Sequence, residues 1–585
     1  MLIHPIELEE STPLPQITDS KVRVAFVNPP HADWSLANNM TYLMCQSHYS
    51  RYGKFPDAVE WLPAPYKWNR YTSLEEVYEE IKGADIVMFS SYAWNYSIVD
   101  DLCEHVKRNN PAVLTVLGGP HIGTHEPLLM LQRTLLYDYI CQPTKPGEPF
   151  VADLLDQWFL NSGNPDVEKI SWAIGSEKKE SHDVGKDDYS VYEDHQPFLK
   201  EALQFAKNER IEPFMVLETT RGCPYKCVFC EWGGGTGTKI LKKTLDIVKK
   251  DILSLKKAGY RDAYLTDANF GAFEKRDIEI FDFAWKHRLN LTDISTVKVK
   301  SMERRKRLID SWFDIVGSGM ETHSKSEGGT DMWGDTEFVS VVPTVSIQSI
   351  SDEAMRVADR VDLSSEEKIE LSRYIHQKCH EQGFPVPALE LILAMPGSTK
   401  EDFYREMEII WNFKAWSSFR HDYMFLPDSI LNSPEYKEKY QIETVEVYSD
   451  ITDEDGIDNW NSLYKGKRTN FKTIRSCFSF TAEDMIEMWF MNNTANYLLQ
   501  NVYPFYEKIV PAPLFAKYCY EVISQLDDYR PIRAEIEDIY NPDTPPRSIR
   551  RLGGQFRVKT IEKMIEDNLL IIKNEVAIKC LSTMD

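Results

Sequence analysis

Arg221–Lys239 reads RGCPYKCVFCEWGGGTGTK. Cys223, Cys227 and Cys230 stand in the pattern C-x3-C-x2-C, and the next histidine downstream is His287. Ten cysteines in 585 residues give this spacing by chance in roughly 0.003 chains of this length. Structural zinc asks for four ligands in a closed tetrahedron, and the loop offers three. A 4Fe–4S cluster on three thiolates leaves one iron without a protein ligand, open to a small molecule. Zinc with a distant fourth ligand, and plain packing of small thiols, are the alternatives. The glycines that follow, Gly233, Gly234, Gly235 and Gly237, are not a P-loop, because G-x4-G-K-[ST] is missing. They read as a flexible lead into the next helix, with direct contact to a ligand as the alternative.

Around this loop the sequence alternates strand and helix. FMVLETT leads into the cysteines. DAYLTDANF, ISTVKVK, VVPTVSIQS, PALELILAMPG and FRHDYMFLP follow, each after a helical stretch. Six such repeats predict a six-stranded partial barrel, and sites in such barrels lie at the carboxyl ends of the strands. That is where the cysteine loop falls. Upstream, KVRVAFVNPP, DIVMFSSY and AVLTVLGGP read as strands between helices. Continuous apolar runs of this kind are buried on both faces of a parallel sheet. They predict a doubly wound α/β unit with ligands at its strand ends. After about residue 430 the alternation fades into aromatic-rich helices. Trp460, Tyr464, Trp489 and Phe490 read there as core. The expected fold class is therefore α/β: residues 1–155 a Rossmann-like domain, 156–212 a connector, 213–430 a partial (β/α)6 barrel and 431–585 a mainly helical region.

The loop resembles that of the radical S-adenosylmethionine (SAM) superfamily, and the likeness extends beyond three cysteines. Phe229 stands where that family places an aromatic beside the adenine. TDANFG (Thr266–Gly271) follows the second barrel strand, where the family binds the SAM amino group, in place of the usual Gly-Gly-Glu. SIQSISDEAMRVADR (Ser346–Arg360) and ELILAMPGSTKEDF (Glu390–Phe403) resemble the fourth- and fifth-strand patterns. The resemblance implies that Cys223, Cys227 and Cys230 hold a 4Fe–4S cluster. It implies that Phe229, Thr266, Asp267, Asn269, Ser346, Gln348 and Glu390 line the SAM site. SAM would chelate the open iron, and one electron would cleave it to methionine and a 5′-deoxyadenosyl radical. An electron donor such as flavodoxin or ferredoxin is implied.

An α/β domain ahead of such a barrel resembles the cobalamin-binding architecture of the class B methylases. FSSYAWN (Phe89–Asn95) and LGGPH (Leu117–His121) match that family's loops after the second and third core strands. Tyr92, Trp94, Asn95, Gly118, Gly119 and His121 are thereby candidate cobalamin contacts, with Gly118 and Gly119 letting the backbone approach the nucleotide tail. The cobalt-ligating motif D-x-H-x-x-G is missing. His31 sits in the corresponding loop without its Asp partner, so Trp94 or Tyr92 is expected against the lower cobalt face. His121 and His125 are further histidines of these loops.

The whole chain narrows the function classes. A net charge of −24 disfavours gripping a phosphate backbone. No apolar run reaches about 18 residues, and the acidic start lacks a signal-peptide core, so the expectation is a cytoplasmic protein. Its seven other cysteines, Cys45, Cys103, Cys141, Cys379, Cys477, Cys519 and Cys580, read as buried small hydrophobes. The basic run MERRKRLID (Met302–Asp310) reads as a solvated helix face. The leading expectation is a cobalamin-dependent radical SAM methyltransferase acting on a small-molecule or peptide substrate, in which a second SAM methylates cob(I)alamin. A cobalamin radical SAM enzyme that rearranges or cyclises without methyl transfer is the rival. A non-catalytic corrinoid or cluster sensor is the alternative of another class. No catalytic acid or base is assigned.

Overall fold

A computed structural model describes residues 21–29, 40–62, 68, 72–93, 95–143, 145–178, 189–209, 214–231, 240–292, 300–323, 345–360, 362–384, 389–412, 418–421, 423–450, 468–548 and 555–582. The chain forms two compact units that divide between residues 187 and 188.

The first unit is built on five parallel strands: β1 (Val22–Val27), β2 (Val59–Trp61), β3 (Ile86–Ser90), β4 (Leu114–Gly118) and β5 (Tyr139–Ile140). Their order is β2-β1-β3-β4-β5. All five residues of β3 are buried, as expected for a central strand with helices on both faces. Helices Met40–Tyr52, Leu74–Ile81, Tyr96–Asn109 and Pro127–Leu136 make the crossovers, and Gly147–Leu160 follows the last strand. The Leu74–Ile81 helix shows why such segments fold. Ser73 and Glu76 form a reciprocal capping box, and Val77 and Ile81 turn one apolar face inward. The strand order reverses between β1 and β3, so the loops leaving these two strands open a crevice at their carboxyl ends.

The second unit opens with the helices Val191–Asp194 and Gln196–Glu209 and then runs through six strands that pair in parallel. β6 (Phe214–Leu217) precedes a short antiparallel pair, β7 (Thr220–Arg221) and β8 (Leu241–Lys242). β9 (Asp262–Leu265), β10 (Asn290–Thr292), β11 (Val345–Gln348), β12 (Leu389–Ile392) and β13 (Ser418–His421) follow. They form two parallel trios, β10-β9-β6 and β11-β12-β13, with helices in the crossovers. The strand expected from ISTVKVK (Ile294–Lys300) lies almost wholly outside the described residues. The third strand comes just before it, where Asn290 and Leu291 are buried.

The carboxyl-terminal region is mostly helical, as expected, but also holds a sheet that the sequence reading missed. β14 (Met424–Phe425), β15 (Glu443–Asp450), β16 (Arg468–Ser476) and β17 (Arg547–Ser548) pair in the order β14-β16-β15-β17. In β15, exposed Glu446 stands between buried Val445 and Val447. That is a one-sided antiparallel strand, whose many polar residues blur its period of two. Trp489 and Phe490 are core residues of the Ala482–Asn501 helix; Trp460 and Tyr464 lie outside the described residues. Of the scattered cysteines, six are buried and Cys477 is half-exposed. Among the described residues no helix is long and apolar enough to cross a membrane.

Candidate functional site

The β7–β8 pair closes the base of the cysteine loop, with Arg221 opposite Leu241. Two backbone bonds then pin the loop to other segments, and a third tightens it from within. Val228 N–H donates to the Ala358 carbonyl at 3.0 Å, Leu431 N–H to the Val228 carbonyl at 2.9 Å, and Cys230 N–H to the Cys227 carbonyl at 3.0 Å. Gly222 takes a φ of +90° at the entrance, a conformation that favours glycine. Cys223 and Cys227 are buried and Cys230 is half-buried. Asn269 Nδ2 donates to Cys223 Sγ at 2.9 Å. Among the described residues no three His, Cys, Asp or Glu side chains converge as a single-ion site requires. A cubane cluster asks for something else: three thiolates, each on its own iron. The Phe229 ring lies 6.4 Å from that of Tyr423. The Tyr423 hydroxyl is buried without a partner in the neighbourhood of Cys227 and Cys477. The glycine run Gly233–Gly237 lies outside the described residues.

Glu231, directly after the third cysteine, is buried and accepts from Asp428 N–H at 3.1 Å. Burial pushes its carboxyl up to about 8, only partly offset by that bond. The folded state therefore holds a proton that the unfolded chain has released. Stability should fall as pH rises from about 4.5 to about 8, by up to about 1.4 kcal/mol per pH unit. Glu231→Gln keeps an acceptor and carries no charge. In chemical-denaturation midpoints across that window, its curve is expected to be flatter than the wild type's. Parallel curves would show that Glu231 does not titrate there.

The segment after β9 splits its tasks. Asp267 is buried and its two oxygens accept four bonds: from Thr219 N–H (2.7 Å), Thr219 Oγ1 (2.5 Å), Thr220 N–H (3.0 Å) and Thr220 Oγ1 (2.8 Å). Those four fill its acceptor capacity. Burial still moves it up to about 6. Asp267 thus fixes the turn that launches the cysteine loop, and Arg276 adds a bond to the Thr219 carbonyl at 2.9 Å. Thr266 Oγ1 donates to the Leu217 carbonyl at 3.3 Å. Of this segment, the Asn269 amide reaches the cysteine sulfur.

On the other trio, Ser346 and Glu390 face each other across β11 and β12, and the Ser346 hydroxyl donates to the Glu390 carboxylate. Gln348 ends β11 with a φ of +67° at a break in register. A non-glycine residue in that region is a local strain of the kind that persists at ligand sites. Beside it, Arg360 donates to the Ser346 carbonyl at 2.5 Å and to Asp362 at 2.9 Å. Arg305 reaches the same Asp362 at 2.5 Å, and Lys368 lies 3.7 Å away. Burial would raise Asp362, but Arg360, Lys368 and Arg305 outweigh it and hold the group down to about 2. The expectation that MERRKRLID is a solvated face is corrected here. Lys306 and Arg307 pair with surface acids. Arg305, however, is buried, and Arg304 donates to the Gly271 and Ala272 carbonyls, each at 2.9 Å. In this 22-residue helix (Met302–His323) two adjacent arginines necessarily point about 100° apart, and one finds a buried acid.

In the first unit the predicted loops meet at the carboxyl ends of β3 and β4. Asn95 precedes the Tyr96–Asn109 helix. Its Oδ1 accepts from Tyr92 N–H at 2.8 Å, and its Nδ2 donates to Asn28 Oδ1 (3.2 Å), the Pro29 carbonyl (3.0 Å) and the Ser90 carbonyl (3.3 Å). Asn95 clamps the exits of β1 and β3 together. Tyr92 sits beside Ser90, and burial raises its hydroxyl. Gly118 ends β4. Gly119 has a φ of +99°, and a Cβ there would lie 2.4 Å from the Ser91 carbonyl oxygen, so glycine is needed for the close approach of the two loops. His121 N–H donates to that Ser91 oxygen at 3.1 Å. The His121 ring is 5% exposed, stacks on Tyr96 at 4.7 Å, and leaves Nδ1 without a partner. Burial, helped by Arg133, lowers it to about 3, so it is neutral. His31 and Trp94 lie outside the described residues.

Residues 65–147 match the family described as the B12 binding domain. The chain is 26% identical over 381 residues, 64% of its length, to the cobalamin-dependent radical SAM methyltransferase TokK of Streptomyces tokunonensis. This chain is homologous to the cobalamin-dependent radical SAM methyltransferases. It spans about half the length of this curated relative, 51%. Its fold is that of two solved structures. The radical SAM methyltransferase TsrM of Kitasatospora setae aligns with a TM-score of 0.55 at 16% identity, over 82% of this chain and 89% of that one. The cobalamin-dependent SAM radical enzyme OxsB aligns with a TM-score of 0.53 at 12% identity, over 97% and 81%. The B12-binding match spans the β3 and β4 exits, and so takes in Tyr92, Asn95, Gly118, Gly119 and His121. The sequence reading missed Ser91 and Arg133, which hold these exits together (Arg133 Nη2 to Ser91 Oγ, 3.0 Å). It also missed Glu231 and Tyr423. Only Glu231, next to a cysteine, carried a signal in the sequence.

Proposed function

We propose that the protein is a cobalamin-dependent radical SAM methyltransferase that moves a methyl group to a carbon of a small-molecule or peptide substrate. What carries this reading is the combination, in one chain, of a B12-binding domain and a pinned C-x3-C-x2-C loop, two of its three thiols buried, at the carboxyl ends of a parallel partial barrel. Residues 1–155 bind the corrinoid, 213–430 bind the cluster and SAM, and 431–585 set substrate specificity, with 156–212 as the connector. The setting is cytoplasmic, with a flavodoxin- or ferredoxin-type electron donor.

The local chemistry fits both groups. Cys223 and Cys227 are out of water, and Cys223 already has an N–H donor aimed at its sulfur, the environment that stabilises a metal-bound thiolate. The β3 and β4 exits are held at close approach by Gly119, and a neutral, unpartnered imidazole nitrogen lies beside them. When bound, the cluster supplies the electron that cleaves SAM, and the corrinoid supplies the methyl carrier. The chain's own residues do the positioning. Cys223, Cys227 and Cys230 hold the iron. Phe229, Thr266, Asn269, Ser346, Gln348 and Glu390 line the SAM site, and Asp267 acts from behind through Thr219 and Thr220.

The test is anaerobic reconstitution of the full chain with iron, sulfide, hydroxocobalamin and reductant, followed by addition of SAM carrying a labelled methyl group. Expected are 5′-deoxyadenosine, S-adenosylhomocysteine and a corrinoid that stays with the protein through gel filtration. 5′-deoxyadenosine without any methyl-transfer product would favour the rearranging or cyclising alternative. A chain that takes up neither cluster nor corrinoid would end the proposal. With Tyr92 or Trp94 against the lower cobalt face, paramagnetic resonance of bound cob(II)alamin should show no nitrogen splitting. A splitting that disappears in His31→Ala would instead make His31 the ligand.

A further inference from the structure

The side chain of Asn269 has two unlike ends. Its Nδ2 donates to Cys223 Sγ at 2.9 Å. Its Oδ1 is buried and meets no donor. An asparagine kept to hold a loop together satisfies both ends, as Asn95 does with four bonds. Here the loop is held without the amide. Arg304 fastens the Gly271 and Ala272 carbonyls, Asp277 accepts from Gly271 and Phe273 N–H at 2.9 and 3.0 Å, and Asp267 fastens the turn opposite. Among the described residues the one polar contact of the side-chain amide is therefore to the sulfur.

We infer that Asn269 sets the reduction potential of the cluster, by donating a hydrogen bond to the thiolate of Cys223. The inference rests on the cluster assignment proposed above. Reduction adds one electron to the cluster and spreads negative charge onto its sulfurs. A fixed N–H dipole aimed at one of those sulfurs stabilises the reduced form more than the oxidised form, and so raises the potential. Burial strengthens the effect, because Asn269 is 3% and Cys223 5% exposed and little water screens the dipole. No proton moves. The single electron comes from a low-potential donor, dithionite in the experiment. Asn269 is thus a positioning residue that acts through Cys223, and it makes the first electron easier to deliver.

The experiment is a redox titration of the anaerobically reconstituted full chain without SAM, followed by the paramagnetic signal of the reduced cluster. Asn269→Leu removes the donor and nearly keeps the volume. Asn269→Ala removes it with a smaller side chain and no charge. Both are expected to bind the same iron as the wild type while being harder to reduce. The reduction equilibrium should fall about tenfold in each, which is about 59 mV more negative for one electron. If the leucine variant fails to load iron, the alanine variant decides the matter. Fully loaded variants with the wild-type midpoint would overturn the inference and leave the cluster assignment standing. A wild type that binds no cluster would instead bring down that assignment, and this inference with it.

Discussion

Replacing Cys223, Cys227 and Cys230 together by alanine is expected to remove all of the roughly four irons of the cluster and to bring 5′-deoxyadenosine formation to the detection limit. The size of the effect follows from the geometry. The three thiols share one loop pinned to Ala358, Leu431 and Asp428, and the seven other cysteines are scattered singly along the sequence. The loop keeps its backbone bonds without the sulfurs, so the triple variant should fold and should still bind corrinoid through the B12-binding domain. Iron content, the visible charge-transfer band and corrinoid retention separate these statements. A triple variant that still produced 5′-deoxyadenosine from SAM would refute the assignment of the cysteines.

Asp267→Ala is expected to be among the most damaging single substitutions outside the cysteines. It leaves the Thr219 and Thr220 N–H groups and both hydroxyls without their acceptor in a site from which water is excluded. Each stranded buried N–H costs about 1–3 kcal/mol, so the two together amount to about 2–6 kcal/mol before the hydroxyls are considered. Thermal melting should drop sharply, and cluster loading should drop with it because the turn entering Cys223 loses its anchor. Asp267→Asn keeps one oxygen for the two backbone donors and should lose much less. If Asp267→Ala melted like the wild type but bound SAM poorly, Asp267 would be a direct ligand contact after all.

What the sequence disclosed and what it hid follow from the range of the interactions. The cysteine spacing and the fully buried β3 were legible because each is written in consecutive residues. The partners of Asp267 lie 47 and 48 positions away, and no local pattern announces them; Asp267 therefore reads as a ligand contact when its oxygens are already taken. Arg305 looked like part of a solvated basic run because Asp362, 57 residues on, becomes its neighbour only through folding. The β14–β17 sheet was hidden for a different reason. Its strands are polar on one side, and two of them are two residues long. Gly119 was read as a place where a nucleotide tail approaches the backbone; within this chain what approaches it is the Ser91 backbone.

The pinning of the cysteine loop also bears on how the protein ages. In a zinc finger the metal is the fold, and removing it unfolds the chain. Here the β7–β8 pair, Asp267 and Glu231 hold the loop through bonds that owe nothing to iron. The mould outlasts its casting. If the loop carries the proposed cluster and oxygen destroys it, a folded vessel should remain with its three thiols still near their stations, ready for fresh iron and sulfide. Oxidative injury to such a molecule would be a matter for repair rather than for degradation and resynthesis.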